Sequence, residues 1–206
     1  IENGEFETNK IKILSYITRL RQICCHPSLF VKDYYDGSGK LELAVDTIKN
    51  VLCMGHRILL FSQFTSMLNI IKDELEKENI SFFYLDGATS SENRVYMSER
   101  FNNGEKKIFL ISLKAGGTGL NLTGADIVIH FDPWWNPAVM EQASDRAYRF
   151  GQMKNVQVFY LVAKNSIEEK IIMLQNKKKE LIKSVISDDG EINAVKLTKE
   201  DIIDIF

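Results

Sequence analysis

The sequence has 206 residues, of which 45% are hydrophobic, so it is long and apolar enough for one globular domain with a real core. Its net charge of -2 excludes a globally basic nucleic-acid binder, so any DNA contact must come from a local basic strip. Three cysteines without C-x-x-C spacing exclude a disulfide framework and favour structural roles over metal binding. No secretory segment or long apolar run is present, which predicts a cytosolic protein without a membrane partner. Because the chain begins at Ile1, we expect a piece of a longer protein.

The predicted elements begin with two helices and then alternate strands with helices. A helix is predicted over 8–25, ending before His26-Pro27, because apolar residues recur at three- and four-residue steps at Ile11, Leu14, Ile17, Leu20 and Ile23. The later elements are helix 40–53, strand 57–62, helix 65–78, strand 81–85, helix 90–101, strand 107–112, strand 127–131, helix 137–150, strand 156–162, helix 166–185 and a helical turn near 198–204. This alternation predicts right-handed βαβ units and a parallel sheet.

Functional groups in such sheets gather in the loops beyond the carboxyl ends of the strands, which here are residues 62–65, 86–90, 113–119 and 132–137. Small hydroxyl and amide side chains at the helix starts suit phosphate groups of a nucleic-acid backbone. The same residues also serve as ordinary helix caps, so both interpretations stay open.

The segment from Gln142 to Gln152 gives the sharpest prediction. On a helix over 137–150, Gln142, Arg146 and Arg149 share one face, because steps of four and three return to the same side. Two fixed guanidinium groups suit a polyphosphate whose charge grows during transfer. The alternative is a solvated face with ion pairs such as Asp145 with Arg149.

A glycine-rich segment follows strand 107–112 and contains Gly116, Gly117 and Gly119. Glycines there let backbone N–H groups approach an anion closely. The segment half-matches a dinucleotide fingerprint but has Leu122 at the third glycine position, so the match fails. A tight turn with only a structural use is the alternative.

Two adjacent tryptophans, Trp134 and Trp135, lie between prolines in the loop after strand 127–131. Such rings can stack or wedge on nucleic acid. Core packing is the alternative, which we expect for one of the pair rather than for both.

Together and in this order, these segments resemble the Swi/Snf-type helicase-like ATPases of helicase superfamily two. The resemblance covers residues 10–185, with Tyr148 where histidine is frequent and Phe150 where isoleucine is frequent. It is carried by Leu20 to Leu29, Leu59 to Phe64, Leu85 to Ser90, Lys114 to Leu122, Trp135 to Pro137 and Gln142 to Gln152.

The resemblance implies an α/β fold, a RecA-like three-layer sandwich with a mostly parallel central sheet plus N-terminal and C-terminal packing helices. The implied division is 1–39 for a helix and loop leading into the lobe, 40–165 for the RecA-like helicase C-terminal lobe, and 166–206 for a bracing helix and tail. That helix carries Lys177 to Lys179, and a plain packing helix with a solvated lysine face is the alternative.

The resemblance also implies residue roles. Arg146 and Arg149 would be arginine fingers reaching the β- and γ-phosphates of ATP held by a first lobe, with Gln142 helping to set the cluster. Near the nucleotide sugar and phosphates would lie Gly117, Gly119 and Asn121. The phosphate backbone of double-stranded DNA would contact Ser62, Gln63, Thr89, Arg94 and Lys114, and Trp135 would lean on the DNA.

The sequence lacks the groups that hold ATP and Mg²⁺ in such motors. Its only Gly-Lys pair, Gly39-Lys40, lacks the Ser or Thr of a P-loop, and Tyr34 stands where the first glycine belongs. Asp73-Glu74 lies inside a predicted helix rather than at the end of a strand. We therefore expect ATP and Mg²⁺ in the full-length protein, with the Mg²⁺ ligands in the N-terminal RecA-like lobe of the same polypeptide, and no ATP hydrolysis by this chain alone.

The predicted function is the second motor lobe of an ATP-dependent double-stranded DNA translocase or remodeller. One alternative is a lobe of a strand-separating DNA or RNA helicase, and another is a non-motor nucleotide-binding module that uses the glycine turn. A DNA-bound protein is a further expected partner. The expected location is the cytoplasm, at the nucleoid in a prokaryote, or the nucleus in a eukaryote.

Overall fold

The computed structural model describes residues 3–116, 119–185 and 201. Every strand and long helix predicted within these ranges is present, and the largest difference is the end of α6. The predicted turn near 198–204 lies outside the described residues except for Asp201. The elements are α1 Asn3–Cys25, a 3-10 turn Pro27–Leu29, α2 Gly39–Cys53, β1 Ile58–Ser62, α3 Thr65–Lys77, β2 Phe82–Leu85, α4 Ser91–Asn102, β3 Ile108–Ser112, α5 Leu113–Gly116, β4 Ile127–His130, α6 Pro137–Ser144, β5 Gln157–Tyr160 and α7 Ile167–Val185.

The sheet has five parallel strands in the order β2-β3-β1-β4-β5. In the centre, Ile58 of β1 pairs with Ile108 of β3 on one side and Ile127 of β4 on the other. Strands β1, β3 and β4 are buried at every residue, which explains their continuous apolar sequences. All five strands end at the same side of the sheet, here called the carboxyl edge.

Helices cover both faces of the sheet. Successive residues of β1 alternate between two cores, so Leu60 packs on the face covered by α2 and α3, while Leu59 packs on the opposite face. Phe101 of α4 and Ala143 of α6 belong to that opposite core. The predicted α/β, RecA-like three-layer sandwich is therefore confirmed, whereas the residue limits of its three parts stay a prediction.

Helices α1 and α7 pack on each other beside the sheet, where Ile17 and Leu174 are buried. The buried side chains of α1 include Ile17, Arg21 and Cys25, at steps of four residues. The predicted apolar stripe is only partly right, because Leu20 is exposed. None of the described helices is both long and apolar enough to cross a membrane.

The lysine run of α7 is not a uniformly solvated face. Lys178 is buried, and its Nζ lies 2.8 Å from Asp201 Oδ2. Lys179 Nζ lies 2.7 Å from Glu141 Oε1 of α6. The run therefore takes part in packing α7 against the rest of the chain.

A buried ion pair joins α7 to α2. Lys40 Nζ lies 2.6 Å from both carboxylate oxygens of Glu168, and the Ala163 N–H donates to Glu168 Oε2 at 2.8 Å. Burial raises the pKa of Glu168, although Lys40 and the Ala163 N–H oppose that rise. The Gly-Lys pair that fails as a P-loop thus has a structural partner in this lobe.

Replacing Lys40 by methionine tests how much this pair matters. Lys40→Met leaves the Glu168 carboxylate buried without its cation, so we expect a loss of about 3–5 kcal/mol in the free energy of unfolding. Urea denaturation followed by far-UV circular dichroism measures the loss.

Lys49→Met is the matched control on the same helix. Lys49 Nζ also lies 2.6 Å from a carboxylate, that of Glu78, but both side chains are about 40% exposed, so its loss should stay below about 1 kcal/mol. Equal losses in the two variants would contradict a special role for the buried pair.

Candidate functional site

The chain after β4 departs most from the sequence prediction, because α6 ends at Ser144 rather than near Phe150. A continued helix would direct the Arg146 carbonyl to the N–H of residue 150, but this carbonyl instead accepts from the Leu122 N–H at 2.9 Å. The prediction that Gln142, Arg146 and Arg149 share one helix face is therefore wrong. Gln142 lies exposed on α6, and both arginines follow the helix.

Both arginines contact the glycine-rich loop that follows β3. Arg146 is 3% exposed, and its Nε donates to the Gly116 carbonyl at 3.0 Å. Arg149 is exposed, and its Nη1 donates to the Gly119 carbonyl at 3.2 Å. Burial lowers the pKa of Arg146, and the nearby Arg149 charge lowers it further, while Asp145 raises it. The two predicted blocks thus meet at the glycine-rich loop.

The loop needs glycine at two described positions for different reasons. A Cβ at Gly116 would lie 2.9 Å from Phe61 Cε1, so the turn packs against a core ring. Gly119 has φ of +50°, in the left-handed region, and faces open space. Asn121 is exposed, and its carbonyl accepts from Asn102 Nδ2 at 2.9 Å. The third predicted nucleotide contact, Gly117, lies outside the described residues.

A second group of polar residues surrounds Asp132, just after β4. The buried Ser62 hydroxyl donates to Asp132 Oδ1, and the Gln63 N–H donates to the same oxygen at 3.1 Å. The Ser62 hydroxyl is thus turned into the protein, and its DNA contact stays a prediction. The Gln63 side chain is half-buried, and its Oε1 accepts from Arg21 Nη1.

Arg94 joins two loops of the carboxyl edge. Its Nε, Nη1 and Nη2 donate to the carbonyls of Thr89 at 2.8 Å, Ala115 at 3.3 Å and Asp86 at 3.0 Å. Each side-chain nitrogen of the half-buried Arg94 thus binds a backbone carbonyl, and its DNA contact stays a prediction. The Thr89 hydroxyl is half-buried and accepts from the Asp86 N–H at 3.1 Å.

Lys114 and the tryptophan pair also keep accessible surface. Lys114 is exposed on α5, directly after β3. Trp134 and Trp135 are both half-buried, with ring centroids 3.6 Å apart and ring planes inclined by 31°. Neither ring is a full core residue, although Trp134 touches the core beneath α6 and Trp135 touches the α1–α7 cluster.

Sequence reasoning assigned no role to Arg21 or Gln152. Arg21 is fully buried. The sequence indicates this only through its position, because Arg21 lies four residues from both Ile17 and Cys25 on α1 and therefore within the buried stripe. Gln152 Nε2 lies within 3.1 Å of the carbonyls of Thr123, Ala125 and Ala147. It therefore closes the Arg146–Gln152 segment onto the loop before β4.

The donors at the glycine-rich loop fit an anion rather than a cation. Two guanidinium groups and a backbone turn suit phosphate oxygens. Within the ranges 3–116 and 119–185 and at residue 201, no group of three His, Cys, Asp or Glu side chains could hold a metal ion.

Comparisons with known proteins agree with this fold. The chain belongs to the helicase conserved C-terminal domain family, whose model matches residues 40–151. It is 39% identical over 202 residues to an uncharacterized ATP-dependent helicase of Mycoplasma pneumoniae, covering 97% of this chain and 19% of that protein. It is 36% identical over 197 residues to the ISWI chromatin-remodeling complex ATPase ISW1 of Saccharomyces cerevisiae, covering 89% of this chain and 17% of that protein.

A solved structure shows the same relationship. The SWI2/SNF2 ATPase core of Sulfolobus solfataricus in complex with dsDNA matches with a TM-score of 0.74 and 36% identity, covering 96% of this chain and 42% of that one. The predicted resemblance is thus confirmed, and the chain is a C-terminal RecA-like lobe of the Swi/Snf type. It spans about a fifth of the length of the curated relatives named here.

His130 holds the end of α6 and gives this region a pH dependence. Its ring is buried between Phe61 and Tyr160, with centroid distances of 5.6 and 5.0 Å, and its Nε2 lies 2.9 Å from Ser144 Oγ. Burial lowers the pKa of His130 to about 4. The folded protein therefore holds this imidazole neutral at pH values where an exposed histidine is protonated.

Protonation of His130 should destabilise the fold in acid. Between pH 6.5 and 4 the unfolded chain binds a proton at this site that the folded chain does not, so the free energy of unfolding falls as pH falls, by about 2–3 kcal/mol from this group. Urea denaturation across this range, in the chain and in His130→Phe, measures the effect. We expect a shallower pH slope in the variant, and parallel slopes would contradict the assignment.

Proposed function

We propose that this chain is the second motor lobe of an ATP-dependent double-stranded DNA translocase or remodeller. The observation that carries the proposal is the contact of Arg146 and Arg149 with the glycine-rich loop, at Gly116 and Gly119. This arrangement gathers positive charge at the glycine-rich loop, where a facing lobe would present the phosphates of ATP.

The two arginines differ in access, which suggests different parts in the reaction. Arg149 is exposed and has one described hydrogen bond, to a carbonyl, so closure of the two lobes can redirect it to a phosphate oxygen. Arg146 is buried and bound to the loop, so it adds fixed charge from beneath and follows the loop as it moves. Both act as arginine fingers in this proposal, and Gln142, exposed on α6, is proposed to help set the cluster.

The groups that complete the ATP site are proposed to lie in a first lobe of the same polypeptide. That lobe would supply the P-loop and the Mg²⁺ ligands. Gly117, Gly119 and Asn121 would border the nucleotide sugar and phosphates. With half of the contacts, the chain alone is expected to bind ATP weakly and not to hydrolyse it.

The DNA-facing part of the proposal rests on Gln63, Thr89, Lys114 and Trp135. All four lie in loops or short elements that follow strands at the carboxyl edge, and none is fully buried. Ser62 and Arg94 support these loops from within. A related ATPase core has been solved in complex with dsDNA, which favours duplex binding over a strand-separating role. A DNA-bound protein is proposed as the further partner, because one relative is a chromatin-remodeling ATPase.

The non-motor alternative has less support from the geometry. It depends on the glycine turn as a dinucleotide site, but Gly116 is explained by its approach to Phe61 and by the bond from Arg146 to its carbonyl. A backbone turn tied to an arginine finger fits the motor interpretation better.

Loss of Arg149 tests the finger assignment. In a protein that carries both lobes, Arg149→Ala should lower DNA-stimulated ATP turnover by about 10³-fold or more, because transition-state charge loses a fixed guanidinium. Steady-state phosphate release at saturating DNA measures the turnover. The DNA affinity should stay close to that of the unchanged protein.

Arg100→Ala is the matched control. Arg100 is a partly exposed arginine near the end of α4, close to the start of β3 and so at the opposite edge of the sheet, where it pairs with Glu105. Its loss should leave turnover nearly unchanged. Turnover near the original rate in Arg149→Ala would refute the finger assignment.

Salt titration tests Lys114 as a phosphate contact. Lys114→Ala should reduce the slope of log affinity against log salt by about 0.9, because one fewer phosphate is neutralised. Lys107→Ala is the control, since Lys107 is an exposed lysine just before β3 and Lys114 lies just after it. Equal slopes in the two variants would remove Lys114 from the DNA surface.

A further inference from the structure

Arg21 of α1 is a fully buried charge at the centre of the carboxyl-edge loops. Its Nη2 donates to Asp132 Oδ2 at 3.1 Å and to the Pro133 carbonyl at 2.7 Å, while its Nη1 donates to Gln63 Oε1. One guanidinium thus binds the loop after β1 and the loop after β4 together.

The same guanidinium lies against aromatic rings. Its central carbon is 5.0 Å from the ring centroid of Trp134, 5.3 Å from that of Trp135 and 5.2 Å from that of Phe64. A planar cation can stack on rings while its edge donates hydrogen bonds, which an ammonium group cannot do. Arginine is therefore the side chain that fits this position.

Stability alone does not explain this arrangement. Burial lowers the pKa of Arg21 while the Asp132 carboxylate raises it, so the ion pair only offsets the cost of desolvation. Arg21 Nε is buried and has no hydrogen-bond partner within the part of the chain that the structure describes. A buried charge with an unmatched donor costs free energy, which points to a role in positioning neighbouring residues rather than in stability.

The tryptophan loop is also held from α7. Gln175 is buried, and its Nε2 donates to the Trp134 carbonyl and lies 3.1 Å from Met140 Sδ. Helices α1 and α7 both lie outside residues 40–151, the segment that the helicase family model matches. Two elements beyond the shared domain therefore converge on one loop at its edge.

We propose that Arg21 is a positioning residue that holds Gln63 and the Trp134–Trp135 pair in the arrangement that binds duplex DNA. The part of the proposal that concerns binding to duplex DNA, called the DNA half below, rests on the proposed function. Its structural half, the placement of the tryptophan pair by Arg21, is independent of any motor activity and is tested separately.

Tryptophan fluorescence tests the structural half directly, because Trp134 and Trp135 are the two tryptophans of the 206-residue chain. Arg21→Lys keeps the charge but loses the planar fork, so we expect acrylamide quenching to increase about twofold or more as the rings separate. The excitonic circular dichroism of the stacked indoles should weaken in the same variant.

Arg19→Lys is the matched control on the same helix. Arg19 is exposed and lies over Tyr16 and Phe30 rather than over the tryptophans, so quenching should stay unchanged. Unchanged quenching in Arg21→Lys, with the fold intact by far-UV circular dichroism, would overturn the proposal. If Arg21→Lys does not fold, Gln63→Ala, which removes one hydrogen-bond acceptor of the Arg21 guanidinium, must increase quenching or the proposal fails.

The DNA half is tested in a protein that carries both lobes. Arg21→Lys should raise the duplex DNA concentration that half-saturates ATP turnover about five- to tenfold, the scale of one lost contact, with a smaller change in the KM for ATP. Trp135→Ala is the benchmark for direct contact. If Trp135→Ala raises the half-saturating concentration and Arg21→Lys does not, the coupling of Arg21 to DNA is refuted.

Failure of the proposed function can be distinguished from failure of the Arg21 proposal. If Trp135→Ala leaves DNA half-saturation unchanged, the DNA surface of the proposed function is wrong, whatever Arg21 does. In that case the quenching result still decides whether Arg21 positions the tryptophan pair.

Discussion

The buried carboxylate of Asp132 organises the carboxyl edge of this lobe. It receives the Ser62 hydroxyl and the Gln63 N–H from the end of β1 and the guanidinium of Arg21 from α1. Without these donors the charge would be unmatched in the interior, so each donor is fixed by the cost of leaving Asp132 unpaired. Strand β1, the loop after β4 and helix α1 thereby hold one another in a single geometry.

The strands and the order of elements could be predicted because their information is local. Largely apolar segments such as 57–62 and 107–112 identify strands buried on both faces, and the observed strands begin one residue later and end as predicted. The end of α6 could not be predicted, because it depends on Leu122, whose N–H takes the Arg146 carbonyl, and on His130, which binds Ser144. The local pattern of apolar residues carries no information about hydrogen-bond partners that lie so far along the chain.

The meeting of the site's segments was predictable, but the direction of each side chain was not. Parallel strands place all their carboxyl-end loops at one edge, which brings the loops after β1 and β4 together at Gln63 and Asp132. Whether a polar side chain at that edge faces the solvent depends on partners far along the chain. Ser62 turns inward to Asp132, which lies 70 positions later, whereas Lys114 has an exposed side chain.

The division between inward and outward polar residues has a consequence for a motor lobe. In the proposed function, Arg149 meets a mobile ligand, and it is held by one described hydrogen bond to a carbonyl, which is easily exchanged. Arg21, which is proposed to set the position of its neighbours, and the second proposed finger, Arg146, are buried and bound to loops. Under this proposal, closure of the two lobes would redirect a few exposed side chains while the buried residues beneath them keep the loops in place. Because α1 and α7 both bind the tryptophan loop, a change in their position would act on that loop directly.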